Sequence, residues 1–142
     1  MLKPTIKALS KAEAEAALSL VWRVFLEYEA PDYTQQGVDE FCKTIHDEGF
    51  LAALSFKGAF INGELVGVIA TRSAGRHIAL FFVDGKFHRR GIGRQLLQSV
   101  QAEKMTVNSS PYAVPIYIKL GFCPTAPEQT VNGLRFTPME RG

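Results

Sequence analysis

The residues with the clearest chemical purpose run from Leu80 to Arg94, in the order Leu-Phe-Phe-Val-Asp-Gly-Lys-Phe-His-Arg-Arg-Gly-Ile-Gly-Arg. An apolar run ends at Val83, and a loop follows whose glycines, Gly91 and Gly93, open a helix. Glycine lets a backbone approach a ligand closely, and the first amides of a helix have no partner inside it. The helix dipole adds partial positive charge at that end, which suits a phosphate or pyrophosphate. Arg89, Arg90 and Arg94 bring full charges beside it. The segment is thus an anion pocket at the end of a buried strand. Two other phosphate motifs are excluded. The dinucleotide fingerprint needs a third glycine where Leu96 stands, and the nucleoside-triphosphate loop needs Gly-Lys followed by Ser or Thr. Taken alone, the segment also fits a tight strand–helix turn with a solvated basic face.

A second strand–loop–helix unit runs from Val107 to Phe122 and includes Asn108, Ser110, Pro115 and Tyr117. Together the two segments resemble the GNAT superfamily of N-acetyltransferases. That family has an Arg/Gln-x-x-Gly-x-Gly/Ala motif after a strand and a later helix ending in a Tyr-x-x-Leu-Gly-Phe-like signature. The matching residues are His88-x-x-Gly91-x-Gly93 and Tyr117-Ile118-Lys119-Leu120-Gly121-Phe122. The hairpin Phe56 to Ala70 also resembles the family's second and third strands, so the likeness covers about Phe56 to Phe122.

The resemblance implies an acyltransferase that takes an acetyl group from acetyl-CoA and delivers it to a primary amine, on a small molecule or a peptide, by direct attack. It implies that backbone groups of Phe82 and Val83 meet the pantetheine arm and offer an amide to the thioester carbonyl. His88, Arg89, Arg90, Gly91, Ile92, Gly93 and Arg94 would surround the pyrophosphate, mostly through backbone amides. Asn108 and Ser110 would contact the middle of the cofactor. Tyr117 falls where the family places a general acid, and a phenol with pKa about 10 keeps its proton at neutral pH for that task. The chain departs from the family in two places. His88 stands where Arg or Gln is usual, and Pro115 removes a backbone donor early in the helix that carries Tyr117.

Other readings of these residues stay open. Tyr117 could be a core aromatic whose hydroxyl found a partner, and Asn108 and Ser110 could be turn and N-cap residues. The amine must also lose a proton, and no acid lies within His77 to Val83. Glu27, Glu29, Glu64 and His46 are candidates for that base, with no means of choosing among them. Residues 27 to 48 carry seven acids against Lys43, which could attract a cationic acceptor or form an ordinary acidic surface. Cys42 and His46 are one helical turn apart, but two cysteines and three histidines offer no evident further metal ligands. Cys123 reads as a packed thiol.

These residues require a scaffold. Thr5 to Leu9 alternates like a strand, and Ser10-Lys11-Ala12-Glu13 is a capping box before Leu18, Val21, Trp22 and Phe25 at helical spacing. Pro31 ends that helix, and a second is expected over about Gln36 to Asp47. Strands at Phe56–Ile61 and Leu65–Thr71 flank Asn62-Gly63, and His77 to Val83 reads as a central strand. A helix over Gly91–Glu103, a strand over Met105–Asn108, a helix over Pro111–Leu120 and a hairpin around Asn132-Gly133 follow. The order predicts an α+β fold with a mixed, mostly antiparallel twisted sheet and helices on both faces.

The 142 residues show no repeat or linker, and are expected to form one domain, 1–142. A formal charge of +2 and the absence of an interleaved aromatic platform speak against nucleic acid as a partner. No run is long and apolar enough to span a membrane, and Met1 to Ser10 lacks a signal-peptide core. Two cysteines fit a reduced, cytoplasmic protein. Exposed strand edges could pair two copies in a homodimer. The alternative function is a non-catalytic acyl-CoA-binding module that senses the cofactor or regulates a partner.

Overall fold

The computed structural model describes residues 3–100 and 102–142. A short strand, β1 (Thr5–Ala8), leads to Ser10 and the first helix, α1 (Lys11–Val24). The Ser10 hydroxyl accepts from the Glu13 amide at 3.2 Å, and the Glu13 carboxylate accepts from the Ser10 amide at 3.0 Å. Two orphan donors of the first turn are thereby satisfied, as the capping box predicts. Ala14, Ala17, Val21 and Val24 recur at three- and four-residue spacing and are buried.

The chain does not simply stop at Pro31. Past Val24 it widens into a π-helical turn (Phe25–Glu29), closed by the Ala30 amide on the Phe25 carbonyl, and then tightens into a 3₁₀ turn (Ala30–Asp32). Such wide turns re-aim side chains and recur at functional sites. Next come α2 (Gln35–Ile45) and α3 (Glu48–Ala52). Helix α3 was not expected; its cap is Asp47, whose carboxylate accepts from the Phe50 amide at 2.8 Å.

The remaining elements are β2 (Ser55–Ile61), β3 (Glu64–Arg72), β4 (His77–Val83), α4 (Ile92–Gln98), β5 (Met105–Ser109), α5 (Val114–Lys119), β6 (Cys123–Pro124), β7 (Gln129–Val131) and β8 (Leu134–Arg141). The sheet order is β1-β2-β3-β4-β5-β8-β6, with β7 paired to β8. Neighbours run antiparallel except β4 and β5, which are parallel. Asn62-Gly63 and Asn132-Gly133 turn the two predicted hairpins with φ between 51° and 81°, the left-handed geometry that matches strand twist. The α+β fold with a mixed, mostly antiparallel sheet is therefore as expected.

Two apolar cores cover the sheet. On one face α1 packs with Phe56, Val68, Leu80 and Phe82. On the other, Ile92, Leu96 and Leu97 of α4 and Tyr117 of α5 pack with Ile69, Met105 and Val107. Strand β4 lies between them, which explains its almost unbroken apolar sequence.

Three expectations need correction. Helix α4 ends at Gln98 rather than Glu103, because its last turn tightens: the Val100 amide bonds the Leu97 carbonyl, and the Ser99 hydroxyl takes that of Leu96. Gln101, inside the expected span, lies outside the described residues. Helix α5 starts at Val114 rather than Pro111, after a separate turn. Cys123 is exposed, not packed. It lies on the two-residue edge strand β6, and alternation there sends Phe122 into the core and Cys123 outward.

Candidate active site

Strands β4 and β5 pair at two positions, His77 with Thr106 and Ile78 with Val107, and then diverge. A bulge begins the divergence. Leu80 opposes Ala70 while Ile78 opposes Thr71, so Ala79 is an extra residue on β4. Beyond it the Asp84 amide bonds the Val66 carbonyl at 2.8 Å. Alternation along an antiparallel pair then turns the amide and carbonyl of Phe82 toward β3 and leaves those of Phe81 and Val83 on the gap. The expected pair is thus split. Val83 borders the gap through its backbone, whereas Phe82 contributes a buried side chain to the α1 face. Phe81 takes the place foreseen for Phe82, because a one-residue bulge reverses the alternation and leaves no mark in the sequence.

The loop after β4 is anchored before it opens. Asp84 is buried, and its carboxylate accepts from the Lys86 amide and from Arg23 of α1, both at 3.0 Å. Burial pushes this carboxyl up, but the Lys86 amide and the Arg23 guanidinium outweigh it and hold the group below its usual range. His88 turns inward, its Nε2 donating to the Val83 carbonyl over 2.7 Å, rather than reaching outward with the arginines. Arg89 and Gly91 then take positive φ of 64° and 78°. Gln95 is the first residue whose amide the helix takes, on the Gly91 carbonyl at 3.0 Å. The amides from Arg89 to Arg94, including Ile92 and Gly93, have no hydrogen-bond partner among the described residues. Arg89, Arg90 and Arg94 are exposed and make no ion pair there. This is a cradle able to hold a pyrophosphate.

A cleft of about 340 Å³ lies along the gap, lined by Ile78 to Phe82 of β4, by Val107 to Ser110, and by Tyr117. Asn108 is exposed on β5, opposite Pro138. Ser110 is buried, and its hydroxyl accepts from the Ala113 amide at 3.2 Å; it closes the turn that precedes α5 instead of capping the helix. Pro115 sits in the first turn of α5, where a missing amide matters little, and the Tyr117 amide bonds Ala113 normally at 2.9 Å. Past Tyr117 the helix closes with Gly121 on Ile118 and Phe122 on the Tyr117 carbonyl, a Schellman stop. The Tyr117 ring is 6% exposed and packs on Phe81 and Phe122 at 6.0 and 5.3 Å. Burial, reinforced by nearby Glu29, pushes its hydroxyl well above the usual phenol range. A group so placed keeps its proton at neutral pH.

Of the four candidate bases, Glu29 lines this cleft; Glu27 is exposed beside Tyr28 and Tyr112, and Glu64 and His46 are exposed elsewhere. Burial pushes the Glu29 carboxyl up to about 7, Ser110 pulls it the other way, and Asp32 adds to the rise. His46 spends its Nδ1 on the Cys42 carbonyl at 2.7 Å. Among the described residues, no group of three His, Cys, Asp or Glu side chains is placed to hold a metal.

The wall opposite the sheet was not legible in the sequence. Glu40, Phe41 and Thr44 of α2 line it, with Phe41 stacked on Phe25 at 3.9 Å between centroids. The β7–β8 hairpin closes the side. A Cβ on Gly133 would lie 2.5 Å from the Gly37 nitrogen, so the hairpin tip meets α2 backbone to backbone. Tyr33 donates to the Arg135 carbonyl at 3.2 Å, and Arg135 donates to the Asp32 carbonyl at 3.0 Å. Of the acids between 27 and 48, Glu29 and Glu40 face the cleft. Asp39 and Asp47 make local hydrogen bonds on their own helices.

Among the described residues, no helix is long and apolar enough to cross a membrane. No curated protein sequence matches the chain. Solved structures do. A GCN5-related N-acetyltransferase from Rhodopseudomonas palustris is 20% identical with a TM-score of 0.79, over 99% of this chain and 97% of its own. The PaiA N-acetyltransferase from Thermoplasma acidophilum, solved with coenzyme A, is 16% identical with a TM-score of 0.74, over 99% of each chain. The ribosomal-protein-S18-alanine N-acetyltransferase of Escherichia coli is 18% identical with a TM-score of 0.62, over 97% of this chain and 92% of its own. At these identities the likeness is one of fold. A family model, the acetyltransferase (GNAT) domain, matches residues 29–141, and the chain belongs to that family.

Proposed function

We propose that the protein moves the acetyl group of acetyl-CoA onto a primary amine by direct attack, with Tyr117 as general acid and residues 1–142 working as one domain. The observation that carries this reading is the continuity of the site. The unpartnered amides of Arg89 to Arg94, the Phe81 edge and Val83 amide on the gap, and the cleft with Tyr117 follow one another along β4 and its loop. That order matches a long donor with an anionic end, an amide-rich arm and a reactive thioester.

Each group then has a task. The loop amides and arginines hold the pyrophosphate. The Val83 amide is free to bond the arm or the thioester carbonyl, where a fixed donor stabilises developing negative charge. Asn108 and Ser110 border the passage. Tyr117 gives its proton to the departing thiolate; burial keeps the phenol above a thiol's ordinary pKa near 8.5, so the transfer is uphill and is drawn forward when the tyrosinate takes a proton from the acylated nitrogen.

The test follows thiol release from acetyl-CoA with a panel of amines. Amine-dependent release that falls about 100-fold in Tyr117→Phe, with cofactor affinity retained, is the expected result. Tight acetyl-CoA binding without transfer to any amine would favour the non-catalytic, cofactor-sensing alternative. Unchanged turnover in Tyr117→Phe would remove the phenol from the mechanism.

A further inference from the structure

We propose that Glu29 is the general base that deprotonates the acceptor amine, working in the same cleft as Tyr117. This rests on the acyl-transfer reading above and supplies the residue that the sequence could not choose.

Glu29 closes the π-helical turn, whose extra residue separates it from the regular stripe of α1 and delivers it to the cleft, whereas Glu27 is exposed beside Tyr28 and does not line it. It makes no ion pair among the described residues. The groups facing it are Asp32 and Tyr33 from the following turn, and Ser110, Tyr112 and Tyr117 from the far side of the gap. Glu40 of α2, Arg72 of β3, His77 of β4 and Arg135 of β8 border the same cleft, and Arg135 is held by Glu128 at 3.2 Å. A carboxylate kept in an aromatic recess without a cation costs stability, and such groups concentrate at working sites. With its carboxyl pushed up to about 7, Glu29 is a stronger base than an ordinary carboxylate and is still substantially ionised at neutral pH. The acceptor it fits is an ammonium compound, which it would first bind by charge.

The protons balance as follows. The ammonium gives one proton to Glu29, and the freed lone pair forms the C–N bond to the thioester carbon. The C–S bond breaks with its electron pair on sulfur, which takes the Tyr117 proton. The second proton on nitrogen returns to the tyrosinate, and Glu29 releases its proton to solvent. One proton leaves per amide formed.

The experiment compares wild type, Glu29→Gln and Glu29→Asp in kcat/KM against pH with an alkylamine acceptor, together with acetyl-CoA affinity by calorimetry. Wild type is expected to lose activity tenfold per pH unit below about 7. Glu29→Gln is expected to fall at least 100-fold and to lack that limb, Glu29→Asp to restore the limb in part, and acetyl-CoA affinity to stay within about threefold. Retained activity with an unchanged limb in Glu29→Gln would overturn the assignment alone. So would a loss that tracks cofactor affinity and that Asp does not rescue, which is a structural role. Absence of amine-dependent transfer by wild type would overturn the acyl-transfer reading and this inference with it.

Discussion

The Nε2 of His88 lies 2.7 Å from the carbonyl oxygen of Val83, on the strand edge that borders the gap between β4 and β5. The side chain is also covered by the Tyr28 ring, 4.8 Å away. The histidine therefore folds the start of the loop back on its own strand. The amides after it are left without hydrogen-bond partners, and the arginines without ion pairs, among the described residues, as the proposed anion site requires.

His88→Ala removes that bond and is expected to weaken acetyl-CoA binding about 3- to 10-fold, the range of one neutral hydrogen bond of about 1 kcal/mol. His88→Gln keeps an N–H donor and is expected to bind within about twofold of wild type. Calorimetric titration of both variants checks this. Equal affinity for His88→Ala and wild type would mean that the loop holds its shape without the histidine.

Asp84 anchors the same loop from below, through the Lys86 amide and Arg23. Asp84→Ala is expected to destabilise the fold by about 1–3 kcal/mol at neutral pH, since it removes both bonds at a buried position. The carboxyl is held below its usual 3.8, so its contribution is complete above that value and is lost as pH falls through the lower folded value. Denaturant melts should separate the two proteins at pH 7 and draw them together toward pH 3.

Much of the frame follows from local sequence because the signals are short-range. The Ser10–Glu13 box, the Asn62-Gly63 and Asn132-Gly133 turns and the Gly121 stop each act over a few residues. The site was legible only in part. Tyr117, Asn108, Ser110 and the Arg89–Arg94 loop could be placed because two motifs flank the gap. The exchange of Phe81 for Phe82, the delivery of Glu29 and the docking of Gly133 on Gly37 depend on a bulge, a π-turn and a contact between residues far apart in the chain. None of these has a local sequence signature.

Glu29 carries a consequence for stability opposite to that of Asp84. Its carboxyl is pushed up from the usual 4.5 to about 7, so the folded protein prefers it protonated. Wild-type stability from this group is greatest below pH 4.5, declines as pH rises to about 7, and stays reduced above. Glu29→Gln is expected to be more stable than wild type at pH 8 by roughly 1–3 kcal/mol and equal to it at pH 4. A variant less stable than wild type at pH 8 would show that the carboxylate is held by favourable bonds instead.

If the loop from Arg89 to Arg94 holds the pyrophosphate of acetyl-CoA, as proposed, a side chain at Gly91 must interfere with it. A Cβ at Gly91 would meet nothing within 4 Å, so the first atom of a side chain there does not clash, but its φ of 78° disfavours any side chain. The added group would distort or cover the free amides. Calorimetric titration with acetyl-CoA, CoA and ADP is expected to give micromolar binding of acetyl-CoA to wild type. Binding should weaken at least tenfold in Gly91→Leu, while the variant keeps a cooperative melt. No binding to wild type at millimolar acetyl-CoA, or equal affinity in the variant, would remove this loop from cofactor binding.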